Sequence, residues 1–155
     1  MRYSKSFQKN ESFSNALSGF ISDGFPVAVC CGTNAWSSLS GNPEVSSNNL
    51  FNAAKAMRKA NGLGLINANW SAQPSMTHVT FAWPAFLMTA CLGWNAETPP
   101  EYLKKALPDL LDAHIFGCCG YNLGKICVLF ATFCSVFDLF EFSPRNLKRS
   151  KTLVT

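Results

Sequence analysis

Two short, largely apolar runs, residues 25–31 (FPVAVCC) and 63–68 (LGLINA), limit what this chain can fold into more than any other feature. A strand covered on both faces loses the polar/apolar alternation of a half-exposed one, so a short continuous apolar run is the pattern of a parallel sheet. Between the runs, residues 48–60 place Leu50, Phe51, Ala53, Ala54 and Met57 on one helical face and Lys55, Arg58 and Lys59 on another. Ser46 or Ser47 can cap this amphipathic helix, and Asn61-Gly62 ends it. Strand, helix and strand in that order make a βαβ crossover, which implies an α/β fold with helices outside a parallel sheet.

The flanks carry further helices. Phe13, Ala16, Leu17 and Phe20 follow helical spacing over residues 11–21 and stop at Ser22-Asp23-Gly24. A loop rich in Gly, Asn and Ser, residues 32–47, holds Trp36, and the loop over 69–80 holds Trp70 and His78. Trp83-Pro84 opens an apolar helix over 84–94, with Trp83 and Trp94 expected in its core. Thr98, Pro99 and Glu101 have the spacing of a capping box for a helix over 98–107, and Pro108 restarts a helix to about His114. Residues 125–142 are apolar on all sides, and periodicity alone fits either a core helix or a strand.

Only 14% of the residues are charged, against roughly 25% in an average soluble domain, so part of the surface is expected to face protein or lipid. The longest apolar run, residues 126–137, lies between Lys125 and Asp138 and falls short of the ~20 residues that span a bilayer. No membrane partner is therefore expected. The first 12 residues contain Arg2, Lys5 and Lys9 but no apolar stretch of a secretory signal, which favours a cytoplasmic location. The net charge of +4 resides in Arg145, Lys148, Arg149 and Lys151, since residues 1–144 carry nine charges of each sign. With no aromatic residues interleaved there, this is a solvated tail rather than a nucleic-acid contact.

Seven cysteines include adjacent pairs at 30/31 and 118/119, a spacing that does not let several sulfurs converge on zinc. They are read as reduced, buried thiols, with no metal site. No phosphate-binding loop, dinucleotide fingerprint or His-Glu-x-x-His motif occurs, so no cofactor is expected. Ser71 and His78 make no nucleophile elbow, and His78 is read as a surface or structural histidine.

Two segments carry a family pattern. Residues 25–42, FPVAVCCGTNAWSSLSGN, resemble a strand and loop written F-Y-V-C-P-G-T-S-S-W-N-S-L-x-G-R, and residues 62–95 are similar to G-x-L-x-T-D-W-G-D-N-G-H followed by P-V-S-Y-P-G-F-x-x-G-A-x-x-W. Gly32, Thr33, Trp36, Gly41, Trp70 and Pro84 fall in register, and residues 49–54 resemble the N-L-x-N-A-A helix between the two. These patterns belong to family 20 glycoside hydrolases, the β-N-acetylhexosaminidase-like enzymes, and the resemblance covers roughly residues 15–116.

The resemblance implies a partial (β/α)8 barrel: its last two βα units, followed by a helical C-terminal region. With the charge pattern, it divides the chain into a barrel portion over 1–97, a mainly helical extension over 98–144 and a basic tail over 145–155 expected to be disordered. Substrate would meet the C-terminal ends of the strands, where barrel active sites lie. Trp36 and Trp70 match platforms for the apolar face of a sugar, and Asn69 stands where the family has Asp. Ala72 stands where the family has the second acid of W-G-D. Trp36 and Trp70 also fit loop anchors on the barrel rim, and Asn69 also suits a turn.

The family's catalytic Asp-Glu pair sits on a central barrel strand, and this chain contains no Asp-Glu dipeptide. A whole barrel needs about 250 residues. The expectation is therefore a hexosaminidase-like fragment, inactive alone, whose ligand is an N-acetylhexosaminide and which associates with itself or with a missing barrel half. Two alternatives remain at this point: a non-catalytic sugar-binding or scaffold remnant paired with another chain, and a small membrane-associated protein using residues 126–142.

Overall fold

The computed structural model describes residues 10–35, 40–70, 78–117 and 120–136. Their fold is mixed α/β and mostly helical. In chain order they form α1 (Asn10–Ser22), β1 (Ala28–Gly32), α2 (Pro43–Lys59), β2 (Gly64–Ala68), a 3-10 turn (Val79–Ala82), α3 (Trp83–Trp94), α4 (Pro100–Leu111), a π-turn (Asp112–Phe116) and α5 (Leu123–Val136).

β1 and β2 pair in parallel, from Ala28 opposite Gly64 to Gly32 opposite Ala68, as the crossover pattern requires. The first strand is shorter than its apolar run. The Phe25 N–H donates to Phe20 O at the end of α1, and Pro26 has no N–H to give to a ladder. Residues two apart share a face of the sheet. Val29, Cys31 and Leu65 turn toward the core, and Asn67 on the same face ties β2 to α3 through Nδ2, which donates to Ala85 O (3.1 Å) and Thr89 Oγ1 (2.7 Å). Ile66, on the opposite face, is 56% exposed.

α2 starts five residues earlier than its apolar periodicity indicates, and its cap is neither Ser46 nor Ser47. The Asn42 side chain accepts from the Val45 N–H, Pro43 occupies the first turn, Glu44 complements the positive end of the helix dipole, and Arg58 and Lys59 complement the negative end. Ser46 and Ser47 lie buried inside the first turns instead. Leu50, Phe51, Ala53, Ala54 and Met57 form the buried face, and each large side chain withdrawn from water contributes about 1.5–3 kcal/mol.

The same core continues through Ala85, Met88 and Leu92 of α3 to Leu103, Leu107 and Leu111 of α4. Trp94, expected in the helix core, is 93% exposed at the last residue of α3, and Trp83 is partly exposed with its ring edge-on to Phe86. The capping box at Thr98 does not form. A residue preceding proline is pushed to extended backbone, so in Thr98-Pro99-Pro100 the helix waits for the second proline. Pro99 is extended (φ −61°, ψ 133°), and Thr98 Oγ1 donates to Asn95 O.

Pro108 lies inside α4 rather than restarting a helix. Its ring removes the N–H that would bond the Lys104 carbonyl, and Lys104 is on the exposed side of the helix, where water can take that bond. The chain then widens into the π-turn and stops at Gly117, whose φ of 63° is left-handed. Residues 123–136 resolve as helix. α5 approaches α4 so closely that a Cβ on Gly124 would collide with Pro108 O and sit 2.9 Å from Leu111 Cβ. Asp112 Oδ1 accepts the Gly124 N–H at 2.7 Å and so caps α5 from the preceding turn.

Candidate functional site

The parallel register brings the residues after each strand together. Past the last pair, Gly32 opposite Ala68, the Thr33 N–H donates to Ala68 O at 3.0 Å and extends the ladder by one step. Thr33 and Asn69 therefore stand side by side, and Thr33 Oγ1 donates to Asn69 Oδ1 at 2.7 Å. The same hydroxyl oxygen accepts the Ala35 N–H at 3.3 Å, which accounts for the hydroxyl of a threonine that is 98% buried. With Oδ1 engaged, the Asn69 amide presents Nδ2, a donor, at the strand end.

Trp70 follows directly in the chain and is 40% exposed. The described ends of the loop leaving β1 meet each other. Asn34 adopts a left-handed φ of 53°, and its carbonyl accepts the Asn42 N–H at 3.1 Å, which closes the loop just ahead of α2. Gly41 has φ 81° and lies against Ala35, where a side chain would be strained.

Of the three sequence-derived sugar contacts, Asn69 and Trp70 adjoin at the C-terminal end of β2, and Trp36 lies outside the described residues, as does Ala72. Thr33 was only a register match in the sequence. Its role comes from a contact 36 residues away that no local spacing encodes. His78 is exposed and stays local: Nδ1 lies 2.7 Å from Thr80 Oγ1 and accepts the Thr80 N–H, capping the 3-10 turn.

Chemically, Asn69, held in place by the buried Thr33, offers a neutral hydrogen-bond donor, and Trp70 offers a partly exposed apolar ring. Glu44, in the first turn of α2 at the same end of the sheet, is exposed and positioned for the helix dipole. Cys31, two residues before Thr33, faces the core, and burial together with neighbouring Cys30 pushes its thiol up to about 12. At neutral pH it is a packing group, since the thiolate is the reactive form. Among the described residues, no three His, Cys, Asp or Glu side chains group as a metal would need. None of their helices is long and apolar enough to cross a membrane. No protein-family model, curated protein or solved structure matches the chain.

Proposed function

We propose that the chain is a portion of a β-N-acetylhexosaminidase-like glycoside hydrolase, with β1 and β2 as the last two strands of its barrel, and that it binds a terminal N-acetylhexosamine through Trp36, Asn69 and Trp70 without hydrolysing it. The observation that carries this proposal is the hydrogen bond from Thr33 to Asn69 across two parallel strands, which orients the Asn69 amide at one strand end, next in sequence to the 40%-exposed Trp70. Sugars present apolar C–H faces ringed by hydroxyls. An indole covers the face while an amide donor meets a hydroxyl or acetamido oxygen.

Asn69 in the place of the family's Asp changes the bond rather than deleting it. A carboxylate would accept from a hydroxyl with about 1.5–3 kcal/mol, whereas the amide Nδ2 donates in a neutral bond of about 1 kcal/mol. Binding should be correspondingly weaker than in an intact site. Glycoside hydrolysis also needs a positioned acid, and in substrate-assisted families a carboxylate to orient the acetamido nucleophile. With no Asp-Glu dipeptide in the sequence, that pair has no source here.

Calorimetric titration with N-acetylglucosamine, alongside a chromogenic N-acetylglucosaminide assay, tests the proposal: heat of binding without turnover is expected. Turnover abolished by Trp70→Ala would show a competent enzyme, and absence of binding would remove the sugar site. A second reading, a scaffold remnant paired with another chain, draws support from Ile66, which is 56% exposed on the sheet face turned away from the core.

A further inference from the structure

We infer that α5 is a homodimer interface, in which two copies of the helix pack antiparallel about a two-fold axis passing between Leu129 and Phe130. One side of α5 is committed to its own chain: Gly124, Cys127, Ala131 and Cys134 are buried. The other side is not polar, as a helix facing water would be. Ile126, Leu129, Phe130 and Phe133 are 59%, 58%, 43% and 54% exposed, the Phe130 ring doing so while stacked on Phe81 of its own chain at 5.7 Å, and their i, i+3, i+4, i+7 spacing draws one straight apolar seam along two turns.

The seam is its own complement. Antiparallel pairing about its midpoint sets Ile126 against Phe133 and Leu129 against Phe130 of the second copy, a branched aliphatic side chain against a ring at every level. This is the alternation of sizes that lets facing helices interdigitate. Charge selects the same arrangement. Lys125 is the one charged residue of α5, so a parallel pair would place two ammonium groups together, whereas the antiparallel pair puts them at opposite ends and opposes the two helix dipoles.

Area argues for a weak but specific dimer. At roughly 200 Å² for a fully exposed large side chain, the four residues leave on the order of 400 Å² open per copy. With Leu123, which is 43% exposed, and the Lys125 stem at the rim, two copies would bury on the order of 1,000 Å², at the lower edge of specific interfaces. Lipid fits less well. Helices that lie in a membrane surface carry several Lys or Arg along the polar rim, and α5 has Lys125 alone.

Sedimentation velocity on the full chain, from low micromolar to a few hundred micromolar, is expected to show a reversible monomer–dimer equilibrium. Leu129→Glu should weaken it at least about tenfold, because two carboxylates would meet beside the axis. Circular dichroism of the monomer should be unchanged. An equimolar mixture of Leu129→Glu and Leu129→Lys chains should restore a heterodimer, and the milder Ile126→Gln should weaken association without adding charge. A wild-type chain that stays monomeric at every concentration, or a dimer indifferent to both Leu129→Glu and Ile126→Gln, would overturn the proposal. So would a monomer that binds phosphatidylcholine/phosphatidylserine vesicles through Leu129.

Discussion

The Thr33 hydroxyl donates to the side-chain oxygen of Asn69 at 2.7 Å, joining the C-terminal ends of two parallel strands. That bond chooses which end of the Asn69 amide faces outward, and hence what it can offer a ligand. Thr33→Val keeps the shape but removes the hydroxyl from both Asn69 and the Ala35 N–H, so stability should fall by about 1–2 kcal/mol in denaturant titration. If Asn69 contacts sugar, affinity for N-acetylglucosamine should fall several-fold as well, while Thr33→Ser should retain both.

The close approach of α5 to α4 depends on Gly124. A methyl group there meets the Pro108 carbonyl and Leu111, both belonging to a packed helix rather than to the end of a flexible side chain. Gly124→Ala should cost about 3 kcal/mol by overpacking, despite the better helix propensity of alanine. Urea unfolding compared with Gly93→Ala, where nothing lies within 4 Å of the added carbon, isolates the steric effect.

Asp112 caps α5 from outside the helix, accepting the Gly124 N–H in a buried setting. Asp112→Ala leaves that donor unpaired and should cost about 2 kcal/mol. Asp112→Asn keeps an acceptor oxygen and should cost less than half as much, which the same unfolding measurement resolves.

Burial, with a smaller contribution from Cys30, raises the Cys31 thiol from its ordinary 9.0 to about 12. The native chain then keeps a proton that the unfolded chain releases, so the unfolded state binds fewer protons and stability falls as the pH rises between those two values. Below about pH 9 the contribution is fully present. Denaturant midpoints at about pH 8 and about pH 10 should show a loss for the wild type that is smaller in Cys31→Ala.

The sheet and the buried face of α2 are legible in the sequence because burial itself imposes their pattern. Val29 and Cys31, Leu50 and Met57 recur at the spacing of the surface they cover. Helix starts are harder, since Asn42-Pro43-Glu44 sits in a Gly/Asn/Ser-rich stretch that reads as loop although it holds a cap, a first-turn proline and an acid. Pro108 misleads in the other direction: whether a helix survives a proline depends on what the freed carbonyl faces, which is a tertiary fact. Trp94 misleads because size and hydrophobicity do not decide burial at the last residue of a helix. At the proposed site, Asn69 and Trp70 come from the family resemblance together with their place after a strand, whereas Thr33 is set beside Asn69 only by the register of the two strands.

Titration calorimetry of the full chain with N-acetylglucosamine, wild type against Trp70→Ala and Asn69→Ala, measures the central proposal most directly. Saturable binding that Trp70→Ala weakens by about tenfold or more and Asn69→Ala by about fivefold, with no hydrolysis of a chromogenic N-acetylglucosaminide, is the expected result. No binding by the wild type, or binding that both substitutions leave unchanged, would contradict it.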